Sequence, residues 1–199
     1  MAELTVATPL WVENFAVKRS LPTSRVVLTG MGPRRSRGNR AKIAGDGPLA
    51  VMGVAGGLAE DVQPGDVVVA SEVREGLTCV VTLRSSDLAE SLREMGFRVH
   101  VGPIVSVPRV AGANERAALA RTGAIAVDTE TAQLLDGWPG RPLAVVRTIV
   151  DTADAPLWRI GTSKRGIHAL ALLRRAAPAV AAWASTIAIT APERRLDES

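Results

Sequence analysis

Cysteine and histidine are nearly missing from this chain, whose 199 residues hold one Cys and two His. Structural zinc sites draw four ligands from those two residue types, so no metal is expected to organise the fold or the site. Cys79 has no second cysteine to pair with, which suits a reducing, cytoplasmic compartment. Aromatic side chains are scarce too: two Phe, four Trp and no Tyr. Proteins that grip single-stranded nucleic acid stack bases on such rings. The basic cluster Arg34, Arg35, Arg37, Arg40 and Lys42 has none interleaved, so no nucleic-acid partner is expected. No apolar run approaches the roughly 20 residues that a spanning helix needs. The start MAELTVATPL lacks the basic stretch that precedes the apolar part of a secretory signal.

What is present fits one domain over 1–190, with a polar, aperiodic tail over 191–199. Apolar, β-branched runs at 4–8, 25–29, 49–52, 66–70, 99–107, 124–127 and 143–149 read as buried strands. Helical spacing intervenes at 12–21, 86–95, 114–121 and 130–135. A closing helix over 163–187 would turn Ile167, Leu170, Ala171, Ala177, Val180 and Trp183 inward and bend at Pro178. Alternating strand and helix predicts an α/β three-layer sandwich around a mainly parallel, mixed central β-sheet. A second basic cluster, Arg159, Lys164, Arg165, Arg174 and Arg175, adds to a net charge of +4; such runs are solvated faces or meet an anionic partner.

Four segments carry candidate chemistry. After the strand at 49–52 comes Gly53-Val54-Ala55-Gly56-Gly57-Leu58, read as a glycine turn at a strand end. Missing Cβ atoms there either make a tight turn or let backbone approach a ligand. Val127-Asp128-Thr129-Glu130 places two carboxylates where a strand passes into a helix, as cap residues or as ligands. Val146-Arg147-Thr148-Ile149-Val150-Asp151 ends a buried strand on an acid, at the rim where open α/β sheets bind ligands. Glu13 follows the first strand and is either an exposed helix residue or part of a site.

In this order the four segments resemble the purine and uridine phosphorylase superfamily, and within it the 5′-methylthioadenosine/S-adenosylhomocysteine nucleosidases, from Leu4 to about Ser185. The resemblance implies a nucleoside phosphorylase-like fold, a homo-oligomer, no cofactor and cleavage of a purine N-glycosidic bond. It makes Glu13 and Asp151 catalytic, Glu13 toward the attacking water and Asp151 as the acid that protonates purine N7. A purine leaves far more readily once N7 carries a proton, and partial burial would let Asp151 hold one. Glu130 would bind the ribose hydroxyls, with Thr129, Gly30, Gly53, Val54, Ala55, Gly56 and Ser106 as further substrate contacts.

Departures refine the expectation. Val54 stands where such nucleosidases carry serine, and Val51 where bacterial phosphorylases carry a phosphate-binding arginine. Hydrolysis is therefore favoured over phosphorolysis, with Arg34, Arg35 or Arg37 beside the turn at Gly30 as the alternative phosphate ligands. Thr129 replaces a methionine and Val150 a serine. A short 74–99 segment would leave the sugar 5′ side open, with Trp11, Trp138, Leu157 and Trp158 lining it or lying in the core. The chain looks nearest the hopanoid-associated branch, whose substrate is adenosylhopane; adenine would be released, with transient contact to anionic lipid headgroups at the inner membrane face. The alternatives are a methylthioadenosine/S-adenosylhomocysteine or futalosine nucleosidase, and a non-catalytic nucleoside-binding relative.

Overall fold

The computed structural model describes residues 3–155 and 164–190. Its centre is β3 (Leu49–Gly57), buried along its whole length. Leu49 and Val51 face one core while Ala50 and Met52 face the other, the period of two expected of a strand covered on both sides. β1 (Thr5–Thr8) lies parallel to β3, with β2 (Arg25–Leu28) parallel beyond it. On its other side β3 pairs in parallel with β8 (Leu143–Asp151).

The far half consists of β4 (Val67–Glu75), β5 (Thr78–Val81), β6 (Val99–Ser106) and β7 (Ala126–Asp128). β4 pairs antiparallel with β8 and β5 and parallel with β6, which pairs parallel with β7. The sheet is thus mixed and mainly parallel. At Gly56 and Gly57, β3 also pairs antiparallel with β7, beyond a register shift at Ala55/Gly56. The path β3–β8–β4–β6–β7 therefore closes on itself. That bend sets the ends of β3, β7 and β8 around one rim.

Helices cover both faces. α1 (Trp11–Lys18), α3 (Ser85–Glu94) and α6 (Lys164–Thr190) place Val17, Leu88, Leu92, Leu173 and Val180 on the Ala50/Met52 side. The 3-10 turn Arg40–Ile43 and α5 (Thr131–Leu134) cover the other with Ile43 and Leu134. α2 (Pro33–Gly38) packs near α5, and α4 (Ala113–Ala120) stands over the rim. No described helix is long and apolar enough to cross a membrane.

Two expectations change. The glycines Gly53, Gly56 and Gly57 lie within β3, not in a turn after it. Ile167 and Ala171 of α6 are exposed; its inward stripe runs through Ala169, Leu172, Leu173, Ala176, Val180 and Trp183. An Ala/Leu-rich segment is apolar on several faces, so only the packing fixes its phase. Pro178 lies inside α6, on its exposed side. The hairpin β4–β5 was not foreseen; Gly76, at φ +55, turns it.

Candidate active site

A cavity of about 130 Å3 opens at the rim where β3, β7 and β8 end. Glu13, Val54, Ala55, Gly56, Thr129, Glu130 and Asp151 are among its wall residues. Glu13 reaches it from the third position of α1. Its Oε2 accepts the Leu10 N–H at 2.7 Å, the carboxylate half of a capping box, and its Oε1 accepts the Val54 N–H of β3 at 2.8 Å. At 1% exposure it is no surface helix residue. Burial pushes its carboxyl up to about 7, Glu130 adding to the rise and Arg147 opposing it.

The second carboxylate group forms where β7 meets α5. Asp128 accepts the Glu130 and Thr131 N–H groups at 3.3 and 3.2 Å, while the N-cap position of α5 itself falls to Glu130. Asp128 also receives the Ser106 hydroxyl at 2.5 Å and lies 2.6 Å from Arg147 Nη2. Glu130 Oε1 is 3.2 Å from the same nitrogen, and Glu130 Oε2 accepts the Thr129 hydroxyl at 2.5 Å. Burial alone would raise Asp128, but Arg147 with the Ser106 and Thr131 hydroxyls outweighs it and holds the carboxyl below its ordinary value. Glu130 moves upward through burial and the charge of Asp128. One buried guanidinium thus stands among three buried carboxyls, of which the two glutamates take up a proton more readily than Asp128.

Arg147 is fully buried, and its Nε and Nη1 have no hydrogen-bond partner among the described residues. Nothing in the sequence motif assigns Arg147 a role. Its signal was available: a charge inside the apolar run of β8 requires a buried acid opposite. Gly53 makes room for it, since a Cβ there would collide with Arg147 Nη1 and stand 3.1 Å from Glu13 Oε1. Gly53→Ala is expected to lower stability by about 1–3 kcal/mol through overpacking. A reduced urea midpoint at unchanged m-value would register it; an unchanged midpoint would show that the guanidinium yields.

Asp151, at the end of β8, meets a different partner. Its Oδ2 accepts Arg116 Nη2 of α4 at 2.9 Å, while Arg116 Nε bonds the Ala111 carbonyl at 3.2 Å and Nη1 the Gly57 carbonyl at 3.4 Å. Sequence reasoning missed Arg116, because a charged residue in a short polar helix reads as a solvated face; here it is 8% exposed. The sequence points to burial alone at Asp151; the structure adds a guanidinium beside its carboxylate. A Cβ on Gly56 would come within 2.6–2.8 Å of Arg116 Nη1 and Nη2 and of Asp151 Oδ1, so this glycine lets both side chains share one spot.

Other expected contacts lie elsewhere. Ser106, Gly30 and Gly53 are off the cavity wall. Ser106 is spent on Asp128 and on the Ala132 N–H, and the Gly30 carbonyl accepts the Ser36 hydroxyl. Trp138 lines a separate cavity beside β5 and stacks with Arg141, while Trp11 is 69% exposed and off the wall. Leu157 and Trp158 fall outside the described residues, as does the 191–199 tail. Apolar wall is supplied instead by Leu10, Met31, Val107, Val110 and Val150. Arg34, Arg35 and Arg37 of α2 do not reach the wall, and Val51 is wholly in the core.

Residues 22–159 match the family described as the phosphorylase superfamily. No curated protein matches the chain. Several solved structures share its fold. The 5′-methylthioadenosine/S-adenosylhomocysteine nucleosidase of Campylobacter jejuni superposes with a TM-score of 0.74 at 14% identity, covering 90% of this chain and 97% of that one. The Neisseria meningitidis nucleosidase in complex with methylthio-immucillin-A gives 0.73 at 17% identity, over 94% and 100%. The Streptococcus pneumoniae nucleosidase with the transition-state inhibitor MT-ImmA gives 0.71 at 19%, over 93% and 99%. At such identities the likeness is one of fold. The family match spans most of the sheet and both acid-bearing strand ends, and on it the chain belongs to the phosphorylase superfamily.

Proposed function

We propose that this chain hydrolyses the N-glycosidic bond of a purine nucleoside. The observation that carries the reading is the division of one cavity into two chemically distinct ends. At one end Glu13 and Glu130, gathered around Arg147, suit a ribose and a water. At the other, Asp151 and its partner Arg116 stand with Val107, Ala111 and Val150, apolar residues that suit a flat base. Water oxygen bonds to C1′ as its proton passes to Glu13, and the C1′–N9 bond breaks with its electron pair going to the base. The base takes a proton at N7 from Asp151, and solvent restores both acids. Glu130 accepts from the ribose hydroxyls and supports the positive charge that develops on the sugar. Water is preferred to phosphate as nucleophile because the arginines of α2 stand off the wall. Two of the structures named above hold methylthio-immucillin-A and the transition-state inhibitor MT-ImmA, which agrees with the reading.

The apolar wall beside Glu13, with Leu10 and Met31, suits an apolar 5′ substituent, of which a lipid such as the hopane of adenosylhopane is the bulky extreme. The test is incubation with purine nucleosides of increasing 5′ bulk, with and without phosphate, measuring free base and sugar product. Free base with unphosphorylated sugar is expected, at a rate indifferent to phosphate. Sugar 1-phosphate would reverse the choice of nucleophile, and tight binding without any release would make the chain a nucleoside-binding relative. As a base, Glu13 must be ionised, so kcat/KM is expected to fall about tenfold per pH unit as the pH drops below about 7. A flat profile from pH 5 to 8 would remove Glu13 from that role.

A further inference from the structure

We infer that Arg116 reads the base at C6 and selects a purine with a carbonyl there, a 6-oxopurine, over the 6-aminopurine that family resemblance implies. The inference rests on the purine-nucleoside reading of the cavity. Arg116 belongs to the wall, beside Asp151 and the apolar Val107, Val110 and Ala111. Its guanidinium is fixed at three corners, by the Ala111 carbonyl, the Gly57 carbonyl and Asp151 Oδ2. Five N–H donors less three leaves one on each terminal nitrogen. Asp151 has Oδ2 committed to Arg116, which leaves Oδ1 for N7.

The substituent at C6 lies next to N7 on the same edge of the purine, so with N7 at Asp151 it meets the guanidinium. A C6 carbonyl accepts from that donor. An amino group there also donates, leaving two donors opposed and the guanidinium unanswered. Arginine donates to guanine O6 where it reads DNA, taking N7 there as well. As the base departs, negative charge spreads onto O6, where a preorganised cation stabilises it more than in the ground state. Gly56 makes the arrangement possible, since any Cβ would enter the space of both Arg116 and Asp151. A site that hydrogen-bonds one substituent rejects its unmatched analogue strongly, by up to about 10⁴-fold or more.

The experiment measures kcat/KM for inosine against adenosine and for their 5′-methylthio forms, with the whole chain and with Arg116→Met and Arg116→Lys, alongside calorimetric binding of free hypoxanthine and adenine. The unaltered protein should favour the 6-oxo member of each pair by about 100-fold. Arg116→Met should bring the pair within about threefold of each other, with Arg116→Lys between. Equal or better use of the 6-amino substrates by the unaltered protein overturns the inference, as does an Arg116→Met protein that slows both members alike, which would make Arg116 a mere tether for Asp151. If Arg116→Met does not fold, the preference of the unaltered protein and its shift in Arg116→Lys decide. Tighter binding of hypoxanthine without turnover would uphold base selection by Arg116 while removing the hydrolase reading; no binding and no turnover removes both.

Discussion

Arg147→Met is expected to cost about 3–5 kcal/mol at pH 8, a large part of the 5–15 kcal/mol that holds a typical domain together. The substitution is close in length and apolar, so the loss comes from the charges left behind. Asp128, Glu130 and Glu13 would face one another in a buried pocket without a cation. The sign with pH follows from their folded-state values. Glu13 and Glu130 already titrate above their unfolded range in the native protein, so the stability each carries is complete below about 4.5 and lost as pH rises through about 7. Asp128 is held low by Arg147, so its contribution is present above about 4 and fades in acid. Removing the cation deletes the Asp128 contribution and drives the glutamates further up. The gap between variant and parent should therefore be widest at pH 8 and should close toward pH 4. Urea titrations at the two pH values measure it. A pH-independent gap would mean that the loss is one of packing, and no gap would mean that water already reaches the cluster.

Asp151→Asn is expected to lower kcat by about 10² to 10⁴ with the fold intact. The amide oxygen can still accept from Arg116, and the side chain is nearly isosteric, so the melting temperature should stay within about 4 °C of the parent. What is lost is a group that can hand a proton to N7. Single-turnover release of base, measured beside thermal melts, separates the outcomes. Near-parental turnover in a normally melting protein would reduce Asp151 to a structural partner of Arg116, and a collapsed melt would show that the pair secures α4 to the sheet.

The strands show why much of the fold was legible. Leu49 to Met52 and Leu143 to Ile149 are continuous apolar runs, and a chain buries such a run between two layers with little regard to what lies elsewhere. The short hairpin partner β5 escaped because its exposed residues carry no alternation against a core. Trp138 and Trp11 were assigned by residue type alone, which does not say which cavity a ring faces.

The order of strands and helices, and the acids at the ends of β7 and β8, were set by local pattern: period, β-branching and the residues that stop an element. Those signals act between near neighbours, so they can be read along the chain. The pairing of Arg147 with Asp128 and Glu130 spans 19 and 17 residues, and that of Arg116 with Asp151 spans 35. Only the path that closes β3 against β7 decides such pairs. Burial, which raises Glu13 and strengthens every charge near it, is likewise a property of the surroundings, because a carboxyl has the same sequence neighbours whether water reaches it or not.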